Sequence, residues 1–200
     1  MPLDEYRRKR KFNATPEPRG RVRGRSGHNL VFVVQKHDAS RLHYDFRLEI
    51  NGVLASWAVP KGPSLDPAVK RLAVRTEDHP IEYANFEGVI PEGEYGAGTV
   101  MVWDKGTYSP DGGLSPKRQL ARGEIKVVLH GKKLRGGFVL LCPGRPLAEP
   151  GSKTRWLLIK RRDDYADPSW RIEDPALDRS VKTGRTLKEI KQGRPAKPSY

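Results

Sequence analysis

Between residues 42 and 59 the chain spells out a β-hairpin, and that hairpin limits what the rest can become. Leu42, Tyr44, Phe46, Leu48 and Ile50 share one parity and His43, Asp45, Arg47 and Glu49 the other, the period-2 pattern of a half-buried strand. Asn51-Gly52 follows, the strongest two-residue hairpin signal in the sequence, and Val53 to Val59 returns as the next strand. Val31 to Gln35 precedes the hairpin across a short loop, so three strands are sequential neighbours.

Further strands are expected at Arg71 to His79, Thr99 to Asp104, Glu124 to His130, Phe138 to Cys142 and Arg155 to Lys160, with Gly- and Pro-rich turns between them. About eight strands at such spacing predict an all-β barrel or sandwich. Residues 1–27 read as a basic N-terminal arm, 28–167 as the β domain and 168–200 as a flexible basic tail, with one helical turn expected at Leu187 to Ile190. Trp57, Trp103 and Trp156 fall in apolar strands and are expected in the core, whereas His28 and His130 are expected at the surface.

A single Cys142 excludes a disulfide framework and a Cys-rich zinc site. No apolar run reaches the ~20 residues of a membrane span. The expectation is a soluble, cytoplasmic and nucleoid-associated protein without a membrane partner. Lys and Arg outnumber Asp and Glu by 38 to 24, a net charge of +14 that favours a polyanionic partner such as nucleic acid. Charge alone does not separate binding from cutting.

The chemistry concentrates on the polar faces of two strands. His43, Asp45 and Arg47 stand at two-residue steps on the first, with His37 across the preceding turn. Arg71, Arg75, Glu77 and His79 share the odd parity of the second. If both faces line one cavity, these ionisable groups require a metal and an anion to compensate them. A His, His, Asp donor set suits Mn²⁺, Fe²⁺ or Zn²⁺ better than Mg²⁺. Arg47 and His79 would then hold phosphoryl oxygens, and Tyr83 would hydrogen-bond one. No Ser-His-Asp or Cys-His arrangement stands out, and no Gly-rich loop leads into a Lys-Ser/Thr pair.

Several runs together resemble a known family. They are Phe32-Val33-Val34-Gln35-Lys36-His37-Asp38-Ala39, Arg41-Leu42-His43-Tyr44-Asp45-Phe46-Arg47-Leu48-Glu49 and Trp57-Ala58-Val59-Pro60-Lys61-Gly62-Pro63-Ser64. Glu77-Asp78-His79-Pro80, Phe86-Glu87-Gly88-Val89-Ile90-Pro91 and Tyr95-Gly96-Ala97-Gly98-Thr99-Val100 follow in order. This pattern, spread over residues 5–165, is similar to the 3′-phosphoesterase domain of bacterial and archaeal DNA ligase D. The resemblance implies a compact barrel and a manganese-dependent enzyme of non-homologous end joining. Such an enzyme removes a 3′-terminal ribonucleoside as a phosphodiesterase and then the 3′-phosphate as a phosphomonoesterase.

By position, the resemblance implies His37, His43 and Asp45 as metal ligands and Arg47, His79 and His43 at the phosphate. Lys61, Arg71, Glu77, Tyr83, Arg10 and Glu17 match further residues important for activity. Lys11 stands where the family often has an acidic residue. The implied partners are a DNA primer-template with a 3′-ribonucleotide or 3′-phosphate end, Ku, and a ligase or polymerase. The ligase and polymerase domains that usually follow are absent, which leaves a stand-alone enzyme and an excised domain both open.

Two other readings compete. His43-x-Asp45 with His79 mimics the ligand triad of a non-haem Fe(II) oxygenase, which places His79 on the metal and leaves His37 without a role. A non-catalytic basic module that binds DNA ends would explain the charge and the arm, and leave the ionisable cluster unexplained.

Overall fold

The computed structural model describes residues 3–22, 29–144 and 154–197. The strands are β1 (Leu30–Asp38), β2 (Leu42–Ile50), β3 (Val53–Val59), β4 (Lys70–His79), β5 (Gly88–Ile90), β6 (Gly98–Asp111), β7 (Glu124–His130), β8 (Arg135–Leu141) and β9 (Arg155–Lys160). They pair in the order β1-β2-β3-β4-β9-β8-β7-β6, and β6 closes on β1. The result is a closed eight-stranded antiparallel barrel, with β5 as one extra strand on β6. Closure removes the open sheet edges that would otherwise invite pairing with other chains.

The barrel interior is apolar. All eight strands feed one cluster that includes Phe32, Phe46, Trp57, Trp103, Phe138 and Trp156, each almost wholly buried. Eight strands enclose a space that side chains fill, and burying each large apolar side chain contributes about 1.5–3 kcal/mol. The three Trp residues expected in the core are there. His130 is exposed, as expected, and His28 lies outside the described residues.

Strand β6 runs 14 residues, well past the expected 99–104, because it serves three partners. It pairs with β1 along one edge, and with β5 and then β7 along the other. The segment expected as one long connection, 81–98, contains a 3₁₀ turn (Ile81–Asn85) and β5. The loop expected after Pro110 runs into a short helix, α2 (Pro116–Arg122).

A second apolar layer lies on the outside of the barrel. Val33, Leu54, Val100 and Val102 point outward from β1, β3 and β6 and meet Ile81, Tyr83, Ala84, Phe86, Ile90 and Tyr6. Tyr6 belongs to helix α1 (Asp4–Arg8) in the N-terminal arm, and it is fully buried. The described part of the arm is therefore folded down onto the sheet. For this reason β2 is buried on both faces, rather than half-buried as its alternation predicts.

The C-terminal stretch that composition marks as flexible is also anchored. Ile172 and Ile190 are buried in the main core cluster, and Trp170 meets Trp103 edge-on at 6.3 Å. Helix α3 (Leu187–Lys191) starts on a Thr186/Glu189 capping box. Gly62, with φ +65°, makes room for this segment: a Cβ there would collide with Ile172 and with Tyr44.

Candidate active site

The antiparallel register of β1 and β2 sets His37 opposite His43, Gln35 opposite Asp45 and Val33 opposite Arg47. Directly opposed residues share a face, and Val33 identifies that face as the outer one. The cluster therefore forms outside the barrel, beneath the arm and the 3₁₀ turn, and not inside the barrel cavity.

His37, His43 and Asp45 each offer a ligand atom, all within 4.8 Å of one another. Asp45 Oδ2 lies 3.7 Å from His37 Nδ1, and Oδ1 lies 3.7 Å from His43 Nε2. His43 Nδ1 stands 2.9 Å from the Arg41 carbonyl oxygen. A proton donated there leaves Nε2 with its lone pair, the way metal-bound imidazoles are usually oriented. His37 Nε2 is buried without a hydrogen-bond partner. An orphaned buried nitrogen beside a carboxylate and a second imidazole is what a divalent transition metal would satisfy, so the donor set fits one.

Arg47 is almost fully buried and links this group to the next. Its Nε donates to Gln35 Oε1 at 2.8 Å and its Nη2 to Asp45 Oδ2 at 3.1 Å. Burial alone would raise the Asp45 pKa. The Arg47 charge, with contributions from His37 and His43, overcomes this and holds the carboxyl well below its usual range.

His79 sits between two guanidinium groups. Its Nε2 is 3.1 Å from Arg10 Nη2, and its Nδ1 is 2.9 Å from both the Glu77 carbonyl oxygen and Arg47 Nη1. Burial, then the charges of Arg47 and Arg10, push its pKa well below the ordinary value, so the ring is neutral. A neutral imidazole has one N–H and one lone pair. The network assigns the N–H to Nδ1, donating to Glu77, and the lone pair to Nε2, accepting from Arg10. Arg47 Nη1 is then a buried donor facing another donor. An anionic oxygen between Arg47 and the histidines would give it an acceptor.

The arm holds this arrangement in place. Arg10 Nε donates to Glu17 Oε1 at 2.7 Å, its Nη1 donates to Glu77 Oε1 at 3.1 Å, and its guanidinium lies 4.0 Å over the Tyr6 ring. Tyr83 donates its hydroxyl to the same Glu17 oxygen at 2.9 Å. Opposed to the effect of burial, the Arg10 charge lowers the Glu77 pKa, with Lys9 assisting.

A model of the DNA ligase D 3′-phosphoesterase domain matches residues 35–142, a stretch that begins at Gln35 and includes both polar strands. The chain belongs to the DNA ligase D 3′-phosphoesterase family. It is 53% identical over 166 residues to the multifunctional non-homologous end joining protein LigD of Pseudomonas aeruginosa, covering 82% of this chain and 19% of that protein. With the multifunctional non-homologous end joining DNA repair protein LigD of Mycobacterium tuberculosis it shares 49% identity over 139 residues, 70% of this chain and 18% of that one. The chain thus spans less than a fifth of the length of these relatives.

In this member of the family, the outer face gathers His37, His43, Asp45, Arg47, His79, Glu77, Arg10, Glu17 and Tyr83. Two residues expected with them lie elsewhere. Arg71 pairs with Leu158, whose side chain belongs to the barrel core. The reason is a bulge in β4: Leu54 faces His79 and Ser56 faces Thr76, so three steps on β4 match two on β3. The bulge breaks the odd parity, leaving Arg71, Ala73 and Arg75 on one face and Glu77 and His79 on the other. Lys61 is exposed just beyond β3 and lines a neighbouring cleft of about 520 Å³ with Lys36, Leu42, Tyr44, Ile172 and Arg179. Tyr83 spends its hydroxyl on Glu17 and supports His79 with its ring, at 4.7 Å.

Sequence reasoning missed Gln35, Tyr6 and Lys9. Gln35 donates to the carbonyl oxygens of Tyr83 and Phe86 at 3.0 and 2.9 Å and accepts from Arg47, so it ties the 3₁₀ turn to the cluster. The signal was a lone amide in an apolar strand, two residues before His37. Lys9 donates to Glu77 Oε2 at 3.2 Å. In the arm, Tyr6 lies on α1 and Arg10 two residues beyond its end, where the chain lays the guanidinium over the ring.

Proposed function

We propose that this domain is a manganese-dependent 3′-end-healing phosphoesterase. It would remove a 3′-terminal ribonucleoside from a DNA primer-template and then release the remaining 3′-phosphate, leaving a 3′-hydroxyl. The observation that carries this reading is the juxtaposition of a His37/His43/Asp45 donor set with the buried Arg47 guanidinium, which reaches Asp45 at 3.1 Å.

A divalent metal at the three donors would polarise the phosphorus centre and offset the negative charge that repels a nucleophile. The side chains supply the rest. Arg47 and Arg10 present N–H groups to the non-bridging oxygens, fixed beforehand by Gln35, Asp45, Glu17 and Glu77 so that little reorganisation is needed. His79, neutral and buried, accepts from Arg10 and holds that guanidinium in place. His43 is the most exposed of the three ligands, and a 3′ end would reach the donor set from its side.

His79 is engaged on both ring nitrogens and stands apart from the three-residue ligand group, which removes the ligand that the oxygenase alternative required. A non-catalytic DNA-end-binding module would have no use for the buried donor set. The names of the relatives support a place in non-homologous end joining; Ku and a ligase or polymerase would be its functional partners there.

The test is incubation of the protein with a primer bearing a single 3′-ribonucleotide, and separately with a 3′-phosphate primer, with and without manganese. Gel resolution of the ends should show a 3′-phosphate and then a 3′-hydroxyl product that depend on the metal. Both primers surviving unchanged with manganese present would sink the proposal.

A further inference from the structure

Tyr95 has no role in the chemistry described so far, yet it stands at the margin of the cluster with 45% of its surface exposed. Its hydroxyl lies 3.4 Å from Glu77 Oε2 and 3.2 Å from Lys9 Nζ. The Lys9 ammonium sits 4.7 Å from the ring centroid and the Arg10 guanidinium 5.4 Å from it. That same guanidinium reaches His79 at 3.1 Å. The ring is therefore only one arginine head group removed from the place where phosphoryl oxygens would sit. The other exposed aromatic among the described residues, Tyr165, lies beside Gly136 on β8, remote in the barrel from this cluster.

An aromatic ring anchored by its hydroxyl and left open to solvent is a platform for a nucleobase, since every base offers a π-face. The cations beside the ring, Lys9 and Arg10, also keep the platform within reach of a phosphoryl group held at the cluster. A terminal ribonucleoside brings no phosphate beyond the one being cleaved.

We infer that Tyr95 is the stacking platform for the base of the departing 3′-ribonucleoside. This inference rests on the proposed phosphodiesterase activity and adds to it a nucleobase subsite. Tyr95 is a positioning residue: it grips the leaving group and does not touch the reacting phosphorus.

The test uses the full chain with manganese and three primers, ending in a ribonucleotide, in an abasic ribose, or in a 3′-phosphate. For Tyr95→Ala, kcat/KM on the ribonucleotide primer should fall roughly 5- to 150-fold, the span that base–aromatic stacking supports. The abasic and 3′-phosphate primers, which lack the base, should respond within about twofold, and Tyr95→Phe should restore the ribonucleotide primer, because stacking needs the ring and not the hydroxyl. An equal loss on all three primers, or a Tyr95→Phe variant as impaired as Tyr95→Ala, would overturn the inference and leave the phosphoesterase reading standing. A wild-type protein inactive on every primer would overturn both.

Discussion

At the scale of single residues, the cluster works because few of its groups are free to choose their state. Asp45 is kept ionised by Arg47, and His79 is kept neutral by burial between two arginines. His43 is the ligand whose loss should disturb the fold least, since it is only partly buried and its one internal hydrogen bond goes to a neighbouring carbonyl. His43→Ala should lower manganese affinity and 3′-phosphate release on the order of 100-fold or more, while the melting temperature stays near wild type. Manganese titration and calorimetry on the same sample check both halves. The neutrality of His79 has a consequence for pH. The unfolded chain takes up a proton near the ordinary value of 6.5 and the folded chain resists it until well below. Stability should therefore decline as pH falls from about 6.5 towards the lower folded value. Urea midpoints at descending pH should show this slope, and His79→Gln should flatten it. Asp45 and Glu77, whose folded values are depressed, add their own losses in more acidic solution, as the pH falls through the usual carboxylate range towards their lower folded values.

At the scale of elements, the arm and the bulge in β4 decide whether the chemistry is assembled. The arm is too short and polar to fold alone, but Tyr6 is fully buried in the outer apolar layer and meets His79 edge-on at 5.1 Å. Tyr6→Ala should cost roughly 3 kcal/mol of stability, as large-to-small changes at buried aromatics do. It should also reduce activity, because Arg10 loses the ring beneath it. Tyr6→Phe keeps the ring and gives up only the hydrogen bond to the Pro18 carbonyl, so activity should survive. Denaturant unfolding alongside the primer assay separates the two effects. The bulge acts differently: it lets one strand give Ala73 to the barrel core and His79 to the outer cluster.

At the scale of the whole molecule, the barrel has two covered regions, one roofed by the arm and one closed by the C-terminal segment. Lys133 Nζ donates to the carbonyl oxygens of Leu177 and Arg179, and Lys36 pairs with Asp178 at 2.6 Å, so the segment is tied to the barrel as well as packed on it. Ending the chain at Asp167 should remove the burial of Ile172 and Ile190 and lower stability by roughly 3–6 kcal/mol, taking about 1.5–3 for each side chain. A melting curve and binding of a hydrophobic dye to the uncovered core would measure it. No helix among the described residues is long and apolar enough to cross a membrane.

The strand set, the hairpin at Asn51-Gly52 and the two polar faces were legible because side-chain alternation and turn chemistry are local properties. So was the donor set on β1 and β2, whose members lie within nine residues of one another. Which side of the sheet those groups occupy was not legible, since alternation distinguishes two faces without saying which one closes into a barrel. The parity of β4 misled for a related reason: a bulge costs one residue and leaves no mark in the pattern. The seating of the arm and of the C-terminal segment depends on pairs such as Arg10 with Glu77 and Gly62 with Ile172, far apart along the chain. Their energy exists only once the barrel has brought them together, so tertiary structure alone decided it.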